Sequence, residues 1–316
     1  MRSRIDPFIV ALIAAALLAS FVPATGRALD ALKIVSVVAI GLLFFLYGTR
    51  LSTSETLAGL SHWRLHLFVL ATTFIAFPLA GLAARLLEPS ILTPALASGV
   101  LLLCLVPTTV QSNVVYTRIA GGNVAAAVVS ASLSSIIGVF LTPALVALLM
   151  TADATVDAKS VLRIVLQIFA PFVAGQLLRP VLGAWVKRQE SPLKFFERGS
   201  IVLVVFVAFS EGAEAHIWST LSVWSVLALA VVCAVLLALA IGWTWGLSTA
   251  LGFSRTDRIA MLFCGSNKSL ASGLPIASVL FSGGTLAILV LPLMLYHQMQ
   301  IIVGAMIATR LAPDPD

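Results

Sequence analysis

From Ser219 to Ser248 the chain carries no charged side chain, and apolar stretches of similar length recur from one end to the other. That recurrence limits the fold more than any motif does. A helix needs about 20 apolar residues to cross a bilayer core. In lipid only helices and closed barrels satisfy their own backbone. Charges, Gly/Pro and polar clusters divide the sequence into ten such segments, at about 7–25, 31–50, 65–86, 91–118, 122–149, 160–184, 197–215, 219–248, 257–282 and 284–310. Charged residues make up only 10% of the chain, against about 25% in soluble domains. The expected fold is therefore an all-α integral membrane protein with ten transmembrane helices, surrounded by the lipid bilayer, with no separate soluble domain. MRSR and the apolar run behind it resemble a signal peptide. Asp6-Pro7, Val22-Pro23 and the lack of a clear small-residue cleavage site favour a retained first span.

Basic residues then test the count. If the segments alternate, 13 of the 19 lysines and arginines fall on the side holding both termini, among them Arg2, Arg4, Arg50, Arg118, Arg198 and Arg255. Five fall on the other side (Arg27, Lys33, Arg85, Lys159, Arg163), and Lys268 is left within a segment. That asymmetry predicts both termini in the cytoplasm. It also accounts for the net charge of +6 without a nucleic-acid partner. Cys104, Cys233 and Cys264 lie in apolar stretches and read as small buried hydrophobes, not as a disulfide framework or a metal site.

Ten segments invite a five-plus-five inverted repeat, 1–150 followed by 151–316. The fourth segment carries Cys104-Leu105-Val106-Pro107, then Gln111-Ser112-Asn113 and Gly121-Gly122-Asn123. The ninth carries Cys264-Gly265-Ser266-Asn267, then Pro275 and Gly283-Gly284-Thr285. Both are polar, interrupted, and end in a Gly-Gly turn. Paired interrupted helices point to a binding site at the midplane, because unwound backbone persists there only inside protein or beside a wet cavity. The half-helix ends would offer N–H groups to anions and C=O groups to cations. Pro107, Gly265, Gly273 and Pro275 are expected to hold or permit the breaks; if the two broken helices cross at the midplane, they make a site with both polarities and few formal charges.

The candidate site residues cluster around those breaks. Ser112, Asn113 and Asn123 form one polar group, and Ser130 and Ser134 share a face of the next helix. Their oxygens could ligate Na⁺, with Ser112 and Asn113 a weak site; serines in membrane helices equally bond back to the chain or permit close packing. Ser266, Asn267, Lys268 and Ser269 form the second group. A lysine at bilayer depth costs about 2.5–3.5 kcal/mol to insert and is a functional candidate by default. Lys268 could be a fixed cation in place of a metal ion, a proton carrier, a partner for an anionic substrate, or an ammonium satisfied structurally by carbonyls of the unwound chain. Glu211, near the end of the seventh segment, could guard an entry, reach a site or cap an interface. Tyr47, Tyr116 and His297 read as hydrogen-bonded packing residues.

No G-x-x-x-x-G-K-[ST] or H-E-x-x-H motif occurs, so neither a nucleotide-driven pump nor the commonest intramembrane zinc protease is indicated. No enzyme activity and no cofactor are expected beyond Na⁺ or H⁺ as a coupling ion.

With PTTVQSNVVYTRIAGGN (107–123) and FCGSNKSLASGLP (263–275), the chain resembles the bile acid:sodium symporter family, solute carrier family 10. It is most similar to the branch around the seventh member and its bacterial relatives, where Lys-Ser-Leu followed by small residues and Gly-x-Pro is typical. The resemblance implies a panel of spans one, two, six and seven and a core of three to five and eight to ten, in a bacterial inner membrane. It implies an organic-anion symporter working by alternating access. It also places Ser112 and Asn113 at a Ser-Asn pair of the first sodium site. Sodium-coupled members have an acid and a Gln-Asn pair in the ninth segment, where this chain has Phe263 and Asn267-Lys268. An ammonium beside a bound Na⁺ would repel it strongly, so two ordinary sodium sites are not expected, and Lys268 is expected in place of the second ion. The alternative function is a membrane regulator of calcium or other cation homeostasis.

Overall fold

The computed structural model describes residues 7–50, 62–150, 165–216, 221–281 and 283–313. Arg2, Arg4, Lys159 and Arg163, used in the charge argument, lie outside these residues. The described residues hold helices and no strands. Six helical stretches are long and apolar enough to cross a bilayer: Gly26–Arg50, Trp63–Leu87, Val124–Leu149, Leu166–Val186, Val223–Ala250 and Gly284–Leu311. Val10–Phe21 and Pro94–Leu105 are apolar but shorter. Large apolar side chains such as Leu79, Leu177, Val181, Leu239 and Ile302 are exposed. Helices that present Leu, Ile and Val outward as well as inward are built for a lipid solvent. This is a multi-pass membrane protein.

The chain divides into two compact units. The first comprises Met1–Leu51, Thr151–Ser222 and Leu274–Val290. It contains α1 (Pro7–Phe21), α2 (Gly26–Arg50), α8 (Ala170–Arg188) and α9 (Glu190–Glu214). A Cβ at Gly48 would strike the Phe172 carbonyl, and one at Gly175 the Phe45 carbonyl. The two glycines therefore let the backbones of α2 and α8 touch, the small-residue contact typical of membrane helices. Tyr47 and Arg50 of α2 both donate to the Glu197 carboxylate of α9.

The second unit comprises Ser52–Met150, Val223–Gly273 and Leu291–Asp316. Its first long helix is α3 (Trp63–Ala71), a π-helical turn (Thr72–Ala76) and α4 (Phe77–Ala84). Then come α5 (Pro94–Leu105), α6 (Gln111–Ile119), α7 (Val124–Leu149), α10 (Val223–Ala250) and α11 (Arg255–Ser266). The boundary between units passes through α12 (Leu270–Leu280) and α13 (Gly284–Leu311). A core of Leu65, Phe68, Val69, Ala126, Ala131, Met261 and Cys264 joins α3, α7 and α11.

Local sequence explains where the helices stop. Thr93 caps α5 by accepting from the Leu96 N–H, with Pro94 at its first position. Val106 is extended, with φ −80° and ψ 154°, because the ring of Pro107 disfavours α geometry in the preceding residue. The chain stays non-helical through 106–110 and again through 267–269. Both gaps fall inside the segments expected to be interrupted.

Candidate functional site

The gap at 267–269 is built around Lys268, which is fully buried. Its Nζ donates to three main-chain carbonyls: Val106 O at 2.9 Å, Cys104 O at 3.0 Å and Thr73 O at 3.1 Å. The Phe77 ring covers another side, its centroid 4.0 Å from Nζ. An ammonium has three N–H donors and no acceptor, so the cage matches it donor for acceptor. Among the described residues Lys268 is in no ion pair. Charge is met here by dipoles and a ring face.

Each of those carbonyls lacks a helical partner for a reason visible in the chain. Cys104 and Val106 lie at the C-terminal end of α5, where carbonyls are orphaned and the helix end carries partial negative charge. Between them, Leu105 O takes the Thr142 hydroxyl of α7 at 2.8 Å. Thr73 O owes its freedom to Pro78. The Phe77 N–H reaches back five residues to Thr72 O, and the next residue is a proline with no N–H to give. The π turn thus exposes a carbonyl inside the protein, the kind of local irregularity that gathers at functional sites.

The main chain of Lys268 is held from the other side by Gln300 of α13. The Lys268 N–H donates to Gln300 Oε1, and Gln300 Nε2 donates to Lys268 O, both at 2.7 Å. His297 Nδ1 lies 2.9 Å from the same Nε2, and Tyr296 donates its hydroxyl to Ser266 O at 2.7 Å. The two gaps meet directly: the Ser269 N–H donates to Pro107 O at 2.8 Å. Asn267 Nδ2 donates to Asn113 Oδ1 at 2.6 Å, and Asn113 Nδ2 to Thr108 Oγ1 at 2.9 Å. Ser269 Oγ then caps α12 by accepting from the Ser272 N–H.

Not every candidate residue joins this network. Ser112 is only half-buried and pairs with Thr109 Oγ1 at 3.3 Å. Ser134 supports the first gap by accepting from the Thr108 N–H, whereas Ser130 pairs with His66 at 2.7 Å. Ser266 Oγ bonds back to Leu262 O in its own turn. Asn123 caps α7 through the Ala126 N–H and donates to Asp257 at 2.8 Å, so it clasps the start of α11, not the gaps. Glu211 belongs to the first unit, ion-paired with Lys33 at 2.8 Å. The helix-break assignment also changes. Pro107 stands in a gap, but Gly265, Gly273 and Pro275 lie inside helices. The glycines act by close packing: a Cβ at Gly265 would come within 2.6 Å of Thr244 Cγ2, and one at Gly273 within 2.8 Å of Val106 Cγ1.

The oxygens expected to hold sodium have other partners among the described residues. The Asn113 carboxamide oxygen is engaged by Asn267, Ser112 is turned to Thr109, and Phe263 is packed on Tyr116 with centroids 5.5 Å apart. The cage at Lys268 has the shape of a cation site, and the chain's own ammonium fills it. Sequence reasoning missed Gln300, Thr142 and the Thr73–Pro78 turn. Pro78 inside an apolar segment was the available signal.

Comparison with known proteins places the chain among transporters. Residues 6–313 match the SBF-like CPA transporter family. An uncharacterised protein of Pseudomonas aeruginosa is 48% identical, covering 97% of this chain and 93% of that protein. The putative symporter YfeH of Escherichia coli is 45% identical, covering 97% and 92%. The sodium/bile acid cotransporter 7 of mouse is 28% identical, again covering 97% and 92%.

Proposed function

The chain belongs to the SBF-like CPA transporter family, and from that premise we propose a secondary transporter of a small organic anion in which the Lys268 ammonium serves as a built-in cation. The observation that carries this reading is the cage: three orphaned carbonyls and one ring face around a single buried Nζ. A cation held at the C-terminal end of a half-helix is what broken-helix transporters use to neutralise helix dipoles and balance an anionic solute. Here that cation is covalently tethered, so it need not be recruited from solution in each cycle. Asn113, Asn267 and Ser269 would brace the gaps, and Ser112, half-buried at the start of α6, would meet the solute.

The same proposal takes the architecture as ten spans in two inverted halves, 1–150 and 151–316, with α5–α6 and α11–α12 as the paired broken spans. Supporting it, Gly121 and Gly283 adopt nearly the same left-handed conformation, with φ of +68° and +69°, each in the turn that follows a broken span. The division into two units supports alternating access by movement of one against the other. The basic-residue asymmetry supports cytoplasmic termini in a bacterial inner membrane.

The test is uptake of a radiolabelled bile acid, taken as the first probe, into proteoliposomes under imposed Na⁺ or pH gradients. Uptake independent of Na⁺ and lost in Lys268→Ala supports the reading. Uptake that requires Na⁺ in the wild type removes it.

A further inference from the structure

His297 is a buried titratable group that the tethered-cation reading does not use, and its hydrogen bonds fix its proton. Gln300 Oε1 must be the acceptor of the Lys268 N–H, which leaves Nε2 as a donor-only group. That Nε2 sits 2.7 Å from Lys268 O and 2.9 Å from His297 Nδ1. His297 Nδ1 therefore accepts, and the ring is neutral with its proton on its own Nε2. Every polar atom of the Gln300 amide is then used.

A second proton on His297 cannot be accommodated in this arrangement. It would set an N–H on Nδ1 against an N–H of Gln300. Lys268 O, 3.5 Å from Nδ1, is an alternative acceptor that Gln300 already holds. Protonation thus makes His297 compete with Gln300 for the carbonyl of the residue whose side chain fills the cage. Other titratable groups around this stretch of α13 are Tyr116 of α6, donating to Ile301 O, and Cys233 of α10, donating to Pro292 O. Tyr296, on α13 itself, donates to Ser266 O. These phenols and this thiol, among the described residues, supply no negative charge to offset an imidazolium, and the Lys268 ammonium repels one.

We propose that His297 is the proton-binding site of the transport cycle, and that Gln300 is the positioning residue through which proton binding releases the Lys268 segment. It rests on the reading of Lys268 as the transporter's built-in cation. The closed arrangement holds the neutral ring, so its stability falls as pH falls. By reciprocity, any solute that favours the closed arrangement expels the proton.

The experiment uses full-length protein in nanodiscs. Nitrogen-15 spectra of histidine-labelled protein, with His297 assigned among the four histidines by loss of its signal in His297→Asn, report tautomer and charge from pH 8 to pH 5. Amide hydrogen exchange over Lys268–Ser272, corrected for the intrinsic chemical rate, reports the segment. We expect an Nε2–H tautomer at pH 8 that takes up a proton on acidification. Protection should fall alongside, by up to about tenfold per pH unit for one linked proton. In His297→Asn, which keeps an acceptor but cannot titrate, protection should be flat. An Nδ1–H tautomer, a ring that stays neutral to pH 5, or protection that does not follow the ring overturns the proposal. Should the variant not fold, the wild-type titration and protection decide alone. No transported solute enters this readout, so a negative result beside intact Na⁺-independent uptake removes His297 and leaves the tethered cation standing.

Discussion

Truncating Lys268 to alanine removes the cation and leaves its cage. Three buried carbonyls, on Thr73, Cys104 and Val106, then lose their donor. An unsatisfied buried acceptor costs about 1–3 kcal/mol, or about 3–9 kcal/mol for three. The loss is offset by no longer burying an ammonium, worth several kcal/mol. The cavity left by the four-carbon stem adds about 2–5 kcal/mol, so the net destabilisation is a few kcal/mol, a fall in Tm of about 2–4 °C for each kcal/mol on the scale of larger soluble domains. The shape of the vacancy adds a sharper expectation. It is the volume of a butylammonium with acceptors 2.9–3.1 Å from the nitrogen position. Calcium, of nearly sodium's radius, takes oxygens at about 2.3–2.6 Å, so the cage is too wide for Na⁺ and fits an alkylammonium. In a thermal-unfolding assay, propyl- or butylammonium should restore Tm in Lys268→Ala, with about 2.7 kcal/mol recovered at a hundredfold excess over Kd. Na⁺ should restore nothing. Lys268→Met, which fills the volume without the charge, should be destabilised and unresponsive. Wild-type stability in Lys268→Ala, or stabilisation of that variant by Na⁺ above alkylammonium, would refute the reasoning.

Three further substitutions probe the supports of the cage. Pro78→Ala restores an N–H that can close the π turn and reclaim a carbonyl from Lys268; faster amide exchange over 267–269 is expected, and unchanged exchange would mean that the turn does not depend on Pro78. Gly265→Ala drives a methyl to 2.6 Å from Thr244 Cγ2; overpacking of this kind costs about 1–3 kcal/mol, and the companion change Thr244→Ser should recover most of it in thermal unfolding. Asn267→Ala strands the buried Asn113 oxygen at a cost of about 1–3 kcal/mol; a double-mutant cycle with Asn113→Ala should give a coupling of about 0.5–3 kcal/mol, and additivity would separate the two gaps.

Much of this site could be read from residue types. A lysine in an apolar segment announces itself by cost, and Pro107 and the asparagines at 113 and 267 mark where backbone must be satisfied by something other than a helix. What the lysine meets could not be read, because its ligands are main-chain carbonyls, which every residue carries. Only the fold decides that those of Thr73, Cys104 and Val106 are free. Gly265 and Gly273 misled for a related reason: a glycine that admits a neighbouring side chain looks the same in sequence as one that lets a helix unwind. Asn123 and Glu211 were grouped with the site by polarity alone. One is spent on a helix start and Asp257, the other on Lys33. His297 was readable as a buried hydrogen-bonded residue, but its partner Gln300 stands one turn along α13, and only the contact of both with Lys268 gives the pair meaning.

The central claim is that the cation of this transporter is its own lysine. Uptake of an organic-anion probe into proteoliposomes, measured with and without an imposed Na⁺ gradient at fixed membrane potential and pH, tests it most directly. The account predicts equal initial rates in wild-type protein with Na⁺ and with choline outside, and loss of uptake in Lys268→Ala. Uptake by the wild type that appears only with Na⁺ and rises with two ions per cycle would contradict it.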